Sequence, residues 1–320
     1  MEQNTWYDTF LEILQKKYPV KKQLVQVLMD LLQIERESVY RRLRKEVYFS
    51  IQEIVVIATE WHISLDDIAR VNSGKILFQL HAINYQNPSK EDVEMVKKVI
   101  QIFHSLKNSP KAEYLDINNS LPVQFATGFE QISRFFLFKW RYQHGSEMDT
   151  VPFSKINLSA DYLKLTQDYY LATKQVPTTD FIFDPKIFDY LVNDIRYFCS
   201  IYLITEEEKE LIKKDIFDLL DYLQEVANKG YYPESRNKVN LYISQLKVET
   251  GYSYTITPDL HLCFVHVFDT FEIYSLNSEM LTNFITWMQL KKRESIQISE
   301  VDEKNRIDFF ARQRQLVMNL

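Results

Sequence analysis

The chain has 320 residues, 46% of them apolar and 26% charged, with a formal net charge of −6. That length suggests about two domains of roughly 150 residues, each able to bury a core, and the acidic balance excludes a protein that coats nucleic acid generally. Five scattered glycines (Gly74, Gly128, Gly145, Gly230, Gly251) exclude a Walker loop and a dinucleotide-binding G-x-G-x-x-G, because both need clustered glycines to bring backbone N–H groups close to phosphate.

Cys199 and Cys263 form no metal-spaced pair and no disulfide framework. The first residues lack the unbroken apolar region of a signal peptide, and no apolar run approaches the ~20 residues of a membrane helix. A cytoplasmic protein with no membrane partner is therefore expected. Charge is unevenly spread. Residues 1–75 hold eleven basic and eleven acidic side chains, so the whole excess of acid falls on residues 76–320.

In chain order, Tyr7–Lys17 reads as a first helix, ended by Pro19. Lys21–Leu32 reads as a second, with Leu24, Val25, Leu28, Leu31 and Leu32 on one stripe. A turn at Ile34-Glu35 leads into a third, Arg36 to about Lys45, which holds five basic residues and one acidic. Val39 and Leu43 give it an inner face. Ser38, Tyr40, Arg41, Arg44 and Lys45 are left to face outward. Two capped helices follow. Ser50 and Glu53 form a capping box with Phe49 and Ile54 as a hydrophobic staple, and Ser64, Asp67, Ile63 and Ile68 repeat the grammar. Asn72-Ser73-Gly74 and Gln86-Asn87-Pro88-Ser89 punctuate the chain on either side of a domain boundary.

Beyond it, helices are expected at Ser89–Leu106, Val123–Tyr142, Ser159–Thr173, Pro185–Ile204 and Thr205–Asn228. The last opens on a Thr205/Glu208 capping box and stops at Gly230. Ser89–Leu106 reads equally as a core helix and as a connector or dimerisation helix. Residues 239–249, 252–257, 260–268 and 271–276 read as antiparallel strands. Helices at Ser278–Lys291 and Asp302–Met318 flank a short strand at Ser295–Ser299.

Residues 20–70 resemble the lambda-repressor-like helix-turn-helix domain of the Cro and phage-repressor type, on LLQIERESVYRRLRKE followed by FSIQEIVVIATEWHISLDDI. The resemblance implies a dimeric, sequence-specific transcription regulator, with Lys21–Leu32 as first helix of the motif and Arg36–Lys45 as recognition helix. It puts Arg36, Glu37, Tyr40 and Arg41 at base edges, with Ser38 beside them on the exposed arc, and Arg44, Lys45 and Gln23 near phosphates. The chain departs from that family at Met29, at Gln33 and Lys45-Glu46 in place of glycines, and at Arg42 in place of an apolar residue. Independently of the family, arginine bonds bidentately to guanine O6 and N7, and basic residues at a helix end hold phosphates.

His261, Cys263 and His266 lie on a strand whose alternation separates His266 from the other two, so no metal site is expected. No spacing supports a catalytic triad, and neither an enzyme nor a cofactor is expected. The Phe135-Phe136-Leu137-Phe138 run and the Tyr169-Tyr170 pair suit a core or an aromatic-lined pocket. The expected fold is mainly α, α+β overall: a five-helix DNA-binding domain over residues 1–74, a linker over 75–88, and a regulatory or oligomerisation domain over 89–320. That larger domain is expected to be helical over 89–230 and α+β over 231–320, with a small antiparallel sheet. The expected partners are double-stranded DNA, a second copy of the chain, and an unknown small-molecule effector or protein. The competing reading is an adaptor that uses the N-terminal unit to dock protein without binding DNA.

Overall fold

The structure is a computed structural model that describes residues 6–61, 63, 65, 78–80, 83–85, 88–107, 109, 111–145, 151–257, 261–267, 271–275 and 278–320. The chain divides into two compact units, Met1–Ile76 and Leu77–Leu320.

The first unit contains α1 (Trp6–Lys17), α2 (Lys21–Leu32), α3 (Arg36–Leu43) and α4 (Ile51–Trp61). One core closes it. Phe10, Leu14, Leu28, Val39 and Ile57 are fully buried there, each on the inner face of its own helix. The fourth helix starts as its sequence dictates: the Ser50 amide donates to Glu53 Oε2 at 2.7 Å, and the Glu53 amide donates to Ser50 Oγ at 3.2 Å. The fifth helix expected to open at Ser64 falls on residues that, apart from single positions, lie outside the described ones.

In the second unit the helices are α5 (Lys90–Leu106), α6 (Val123–Ala126), α7 (Glu130–His144), α8 (Ala160–Thr173), α9 (Asp189–Ser200), α10 (Glu206–Lys229), α11 (Ser278–Arg293) and α12 (Glu303–Met318). The strands are β1 (Gln79–Leu80), β2 (Glu113–Asn118), β3 (Thr178–Phe183), β4 (Lys238–Ile243), β5 (Tyr252–Ile256), β6 (His261–Val267), β7 (Phe271–Ser275) and β8 (Ile296–Gln297). The expected small antiparallel sheet is wrong. Among the described residues all eight strands form one mixed sheet, in the order β1-β7-β6-β5-β2-β3-β4-β8. Strands β2, β3 and β4 run parallel, β5 pairs antiparallel with β2, and β6 and β7 continue that meander. Within the expected linker over 75–88, Gln79–Leu80 form β1 and pair with β7. Both edge strands have two residues, which leaves little backbone open to edge-to-edge pairing.

Successive crossovers from β2 to β3 to β4 step in one direction, so their helices share one face. The main core fills that face, joining Phe125, Phe135, Phe181, Phe188 and Leu219. The α10 helix is its largest contributor, capped by the reciprocal Thr205/Glu208 bonds of 2.9 and 3.2 Å. It ends at Gly230, whose φ of 71° is open to glycine at no cost. The α5 helix turns Ile100, Phe103 and Leu106 into the same core, which makes it a core helix. On the other face α11 packs Leu281 and Met288 over Leu115, Ile117, Ile182 and Tyr254. Lys292 of α11 anchors there on Asp180 at 2.5 Å, and Asn240 donates to the same carboxylate at 2.7 Å.

One charge lies inside the main core. Lys174 is 0% exposed, donates to the Gln124 carbonyl at 3.1 Å, and has Phe125, Tyr170 and Tyr232 ring centroids within 4.3, 4.5 and 4.7 Å of Nζ. Burial pulls its pKa down to about 7, against the opposing pull of Glu234. Between that value and the unfolded lysine range the unfolded chain binds the extra proton, so stability rises with pH in this window. A single proton contributes at most about 1.4 kcal/mol per pH unit. Lys174→Met is expected to remove that slope relative to the native chain. Urea denaturation across pH 7 to 8.5 checks it, and equal slopes in the two proteins would contradict it.

Candidate functional site

Two places bring chemistry together, one in each unit. In the first, α2 ends at Gln33, whose φ of 53° and ψ of 42° put it in the left-handed region, and Lys45 after α3 has φ 65°. These are the two positions at which the expected helix-turn-helix pattern calls for glycine. A side chain there costs about 1–2 kcal/mol in backbone strain. The Gln33 side chain donates to the Asp30 carbonyl at 2.5 Å and so offsets part of the cost.

The α3 helix buries only Val39, and its remaining residues are exposed or half-buried. Of the expected contact residues, Gln23, Arg36, Glu37, Arg41, Arg44 and Lys45 are exposed, while Ser38 and Tyr40 are half-buried. Several are already engaged. Arg44 bonds Glu37 and Glu46 at 2.7 Å each, Arg41 approaches Glu46 at 3.7 Å, and Lys45 pairs with Asp8. Exposed pairs of this kind are weak and screened by salt, so a phosphate can replace a carboxylate partner.

Tyr40 organises the rest of the face. Arg36 lies 5.7 Å over its ring, and Lys21 of α2 lies at the same distance. Among the described residues neither Arg36 nor Lys21 makes an ion pair. Sequence reasoning missed Lys21. The available signal was its place in the first turn of α2, where a cation opposes the helix dipole and gains nothing from the helix.

Arg42 does not face outward. Its Nε and Nη2 grip Glu53 at 3.1 and 2.8 Å, and its Nη1 donates to the Ser38 carbonyl at 3.1 Å. Burial raises the Glu53 pKa, but Arg42 and the Ser50 amide outweigh it and hold the carboxyl below its ordinary value. The departure from an apolar residue at Arg42 is therefore a strut from α3 to the start of α4.

The second place is a cavity in the larger unit, beyond the carboxyl end of β2. Its outer lobe, about 410 Å³, is walled by Asn118, Phe136, Lys139, Trp140, Asp194 and His266. An inner lobe of about 210 Å³ runs under α5 and α8 against β6 and β7, lined by Val93, Val96, Leu165, Tyr169, Phe264 and Glu272. Tyr85, Val123, Thr127 and Tyr162 line both lobes, so the two adjoin. Of the aromatic runs noted in the sequence, Phe136, Leu137 and Tyr169 line the cavity. Phe135 and Phe138 are core, and Tyr170 covers Lys174.

A polar row floors the outer lobe. His266 pairs with Glu272 at 3.0 Å. Burial lowers the His266 pKa, but the bond and charge of Glu272 reverse that and leave it above the ordinary value. Gly251 permits this placement, because any Cβ there would collide with the His266 ring. Behind the row, buried Asp116 accepts from Gln124 at 2.5 Å and Tyr114 at 3.1 Å, and burial pushes it up to about 6. Cys263 points to the opposite face of the sheet from His266, into the second core.

No helix among the described residues is long and apolar enough to cross a membrane. No family model matches the chain, and neither a curated protein nor a solved structure matches it.

Arg42→Ala leaves Glu53 half-buried without its cation and is expected to destabilise the first unit by about 1–3 kcal/mol. Urea denaturation followed by Trp61 fluorescence checks this. A loss below about 0.5 kcal/mol would place the strut outside the stability of the unit.

Proposed function

We propose that the chain is a sequence-specific DNA-binding transcription regulator whose first unit reads the major groove and whose larger unit receives a small-molecule signal. The observation that carries the reading is the α2–turn–α3 geometry. A left-handed turn at Gln33 separates a helix that begins with Lys21 from a short helix that exposes Arg36 and Arg41. An α-helix fits the major groove, and an arginine on its outer face bonds bidentately to guanine. Lys21, Lys45 and Arg44 then sit at the rim, where phosphates pass and register is set. The acidic remainder of the chain repels DNA elsewhere and confines contact to this face. A two-fold pair of chains would read two half-sites about one helical turn apart.

One observation favours the adaptor reading. Ile51 is 81% exposed and Val55, one turn later on α4, is 45% exposed, with Tyr48 at 58% just before the helix. Such apolar side chains suit a protein partner. Selection from a random duplex library separates the two readings. The regulator reading expects an enriched motif that persists as salt is raised. It expects Arg41→Ala to weaken binding to that motif by about 1–3 kcal/mol and relax one base position. Lys21→Ala is expected to weaken all duplexes alike and lower the salt slope by about one. No enrichment at any salt, with Arg41→Ala silent, would leave the adaptor.

A further inference from the structure

We infer that the cavity of the larger unit takes an uncharged amphipathic small molecule. Its carbonyl- or amide-type oxygen accepts hydrogen bonds from Asn118 and Trp140, and its apolar body fills the lobe under α5 and α8. The inference deepens the sensor half of the reading above and rests on it for its biological meaning, although the binding itself needs no DNA.

Two donors point to the head group. Asn118 Nδ2 and Trp140 Nε1 are both buried, on residues 2% and 6% exposed, and neither makes a hydrogen bond of good geometry, although the Asn118 amide lies close enough to Asp116 to pull its pKa down. Both residues line the outer lobe. An orphaned buried donor costs about 1–3 kcal/mol, so two on one cavity wall mark a place where an acceptor belongs. The indole N–H can only donate, which fixes the ligand atom as an acceptor. Trp140 is held in place by His144 stacked at 5.0 Å and by Tyr85 edge-on at 5.6 Å.

Charge decides which acceptor. The ionisable groups on the cavity wall are Lys139, Asp194, His266, Glu272 and Asp92. Lys139 is paired with Asp194 at 2.8 Å, and His266 with Glu272 at 3.0 Å. Asp92 belongs to the capping box of α5, and Asp116 lies behind the floor. Each basic group on the wall therefore already has an acidic partner, and the remaining charge is acidic. A carboxylate would enter against that field, whereas a neutral carbonyl oxygen uses the two N–H groups and brings no charge.

Size and lining set the body. The inner lobe has Val93, Val96, Val99, Leu165 and Phe264 on its wall, and water would find few partners there. Together the lobes fall within the range of small-molecule sites, with apolar walls and a few convergent polar groups. They open beyond the carboxyl end of β2, where its neighbours change from parallel to antiparallel. That switch point is where open sheets bind ligands.

The test uses the full chain and three matched probes: naphthylbutanamide, naphthylbutanoate and butylnaphthalene, each titrated by calorimetry without DNA. The amide is expected to bind saturably and more tightly than both the carboxylate and the hydrocarbon. Trp140→Phe keeps the ring and removes the donor. It is expected to weaken the amide about five- to tenfold, the cost of one hydrogen bond, and to leave the hydrocarbon unchanged. Asn118→Leu makes the same test from the strand side should Trp140→Phe fold poorly. No saturable amide binding at millimolar concentration, tighter carboxylate binding, or an amide affinity indifferent to both substitutions would overturn the inference. The last result would mean that water alone meets the two donors. Duplex selection is scored separately, so either half of the regulator reading can fail without the other.

Discussion

Strand β2 must satisfy neighbours of opposite direction, and the larger unit depends on that. Tyr114 pairs in register with Thr179 of parallel β3 on one side and with Thr255 of antiparallel β5 on the other. The helices over the parallel half arrive through the crossovers that build it. Those over the antiparallel half are α5, which precedes β2, and α8, which packs against α5. The β2-to-β3 crossover sends α7 to one half and α8 to the other, and the cavity lies past Asn118, where these helices part. The same strand supplies the polar floor, because Asp116 and Asn118 share the face that carries His266 and Glu272. Deep burial of that row is costly. It is met by the Gln124 and Tyr114 bonds to Asp116, by the ion pair of His266, and by the missing side chain at Gly251.

The first unit rests on a smaller device. Arg42 and Glu53 join α3 to the capping box of α4, so the same carboxylate caps one helix and holds the other. A helix of eight residues needs such a platform, because so short a helix has little stability of its own. The left-handed residues Gln33 and Lys45 set the entry and exit of that helix at a cost in strain, which is typical of positions fixed by geometry.

The sequence was legible where local rules act alone. Capping boxes at Ser50 and Thr205, the stop at Gly230 and the apolar stripes of α2 and α10 follow from neighbours within one turn. Strands β2 and β3 were not legible. Both are buried on either face, so EYLDIN and TTDFIF show no alternation, and each carries an aspartate that reads as a loop signal. Without them the strand at 238–243 could only be given an antiparallel partner. Arg42 read as a misfit because its partner lies eleven residues away, and Lys21 joins the α3 face only through the ring of Tyr40. The cavity was half visible. Helical spacing divides the Phe135–Phe138 run between core and cavity, but the orphaned donors of Asn118 and Trp140 emerge only once strand and helix are placed together.

The central claim is that α3 touches base edges. The most direct measurement is the amide and arginine side-chain spectrum of isotopically labelled chain titrated with an enriched duplex. The account predicts that the largest shifts fall on Arg36, Tyr40 and Arg41, with smaller ones at Lys21 and Gln23. Shifts confined to the exposed Ile51–Val55 side of α4, or no shifts anywhere in the first unit, would contradict it.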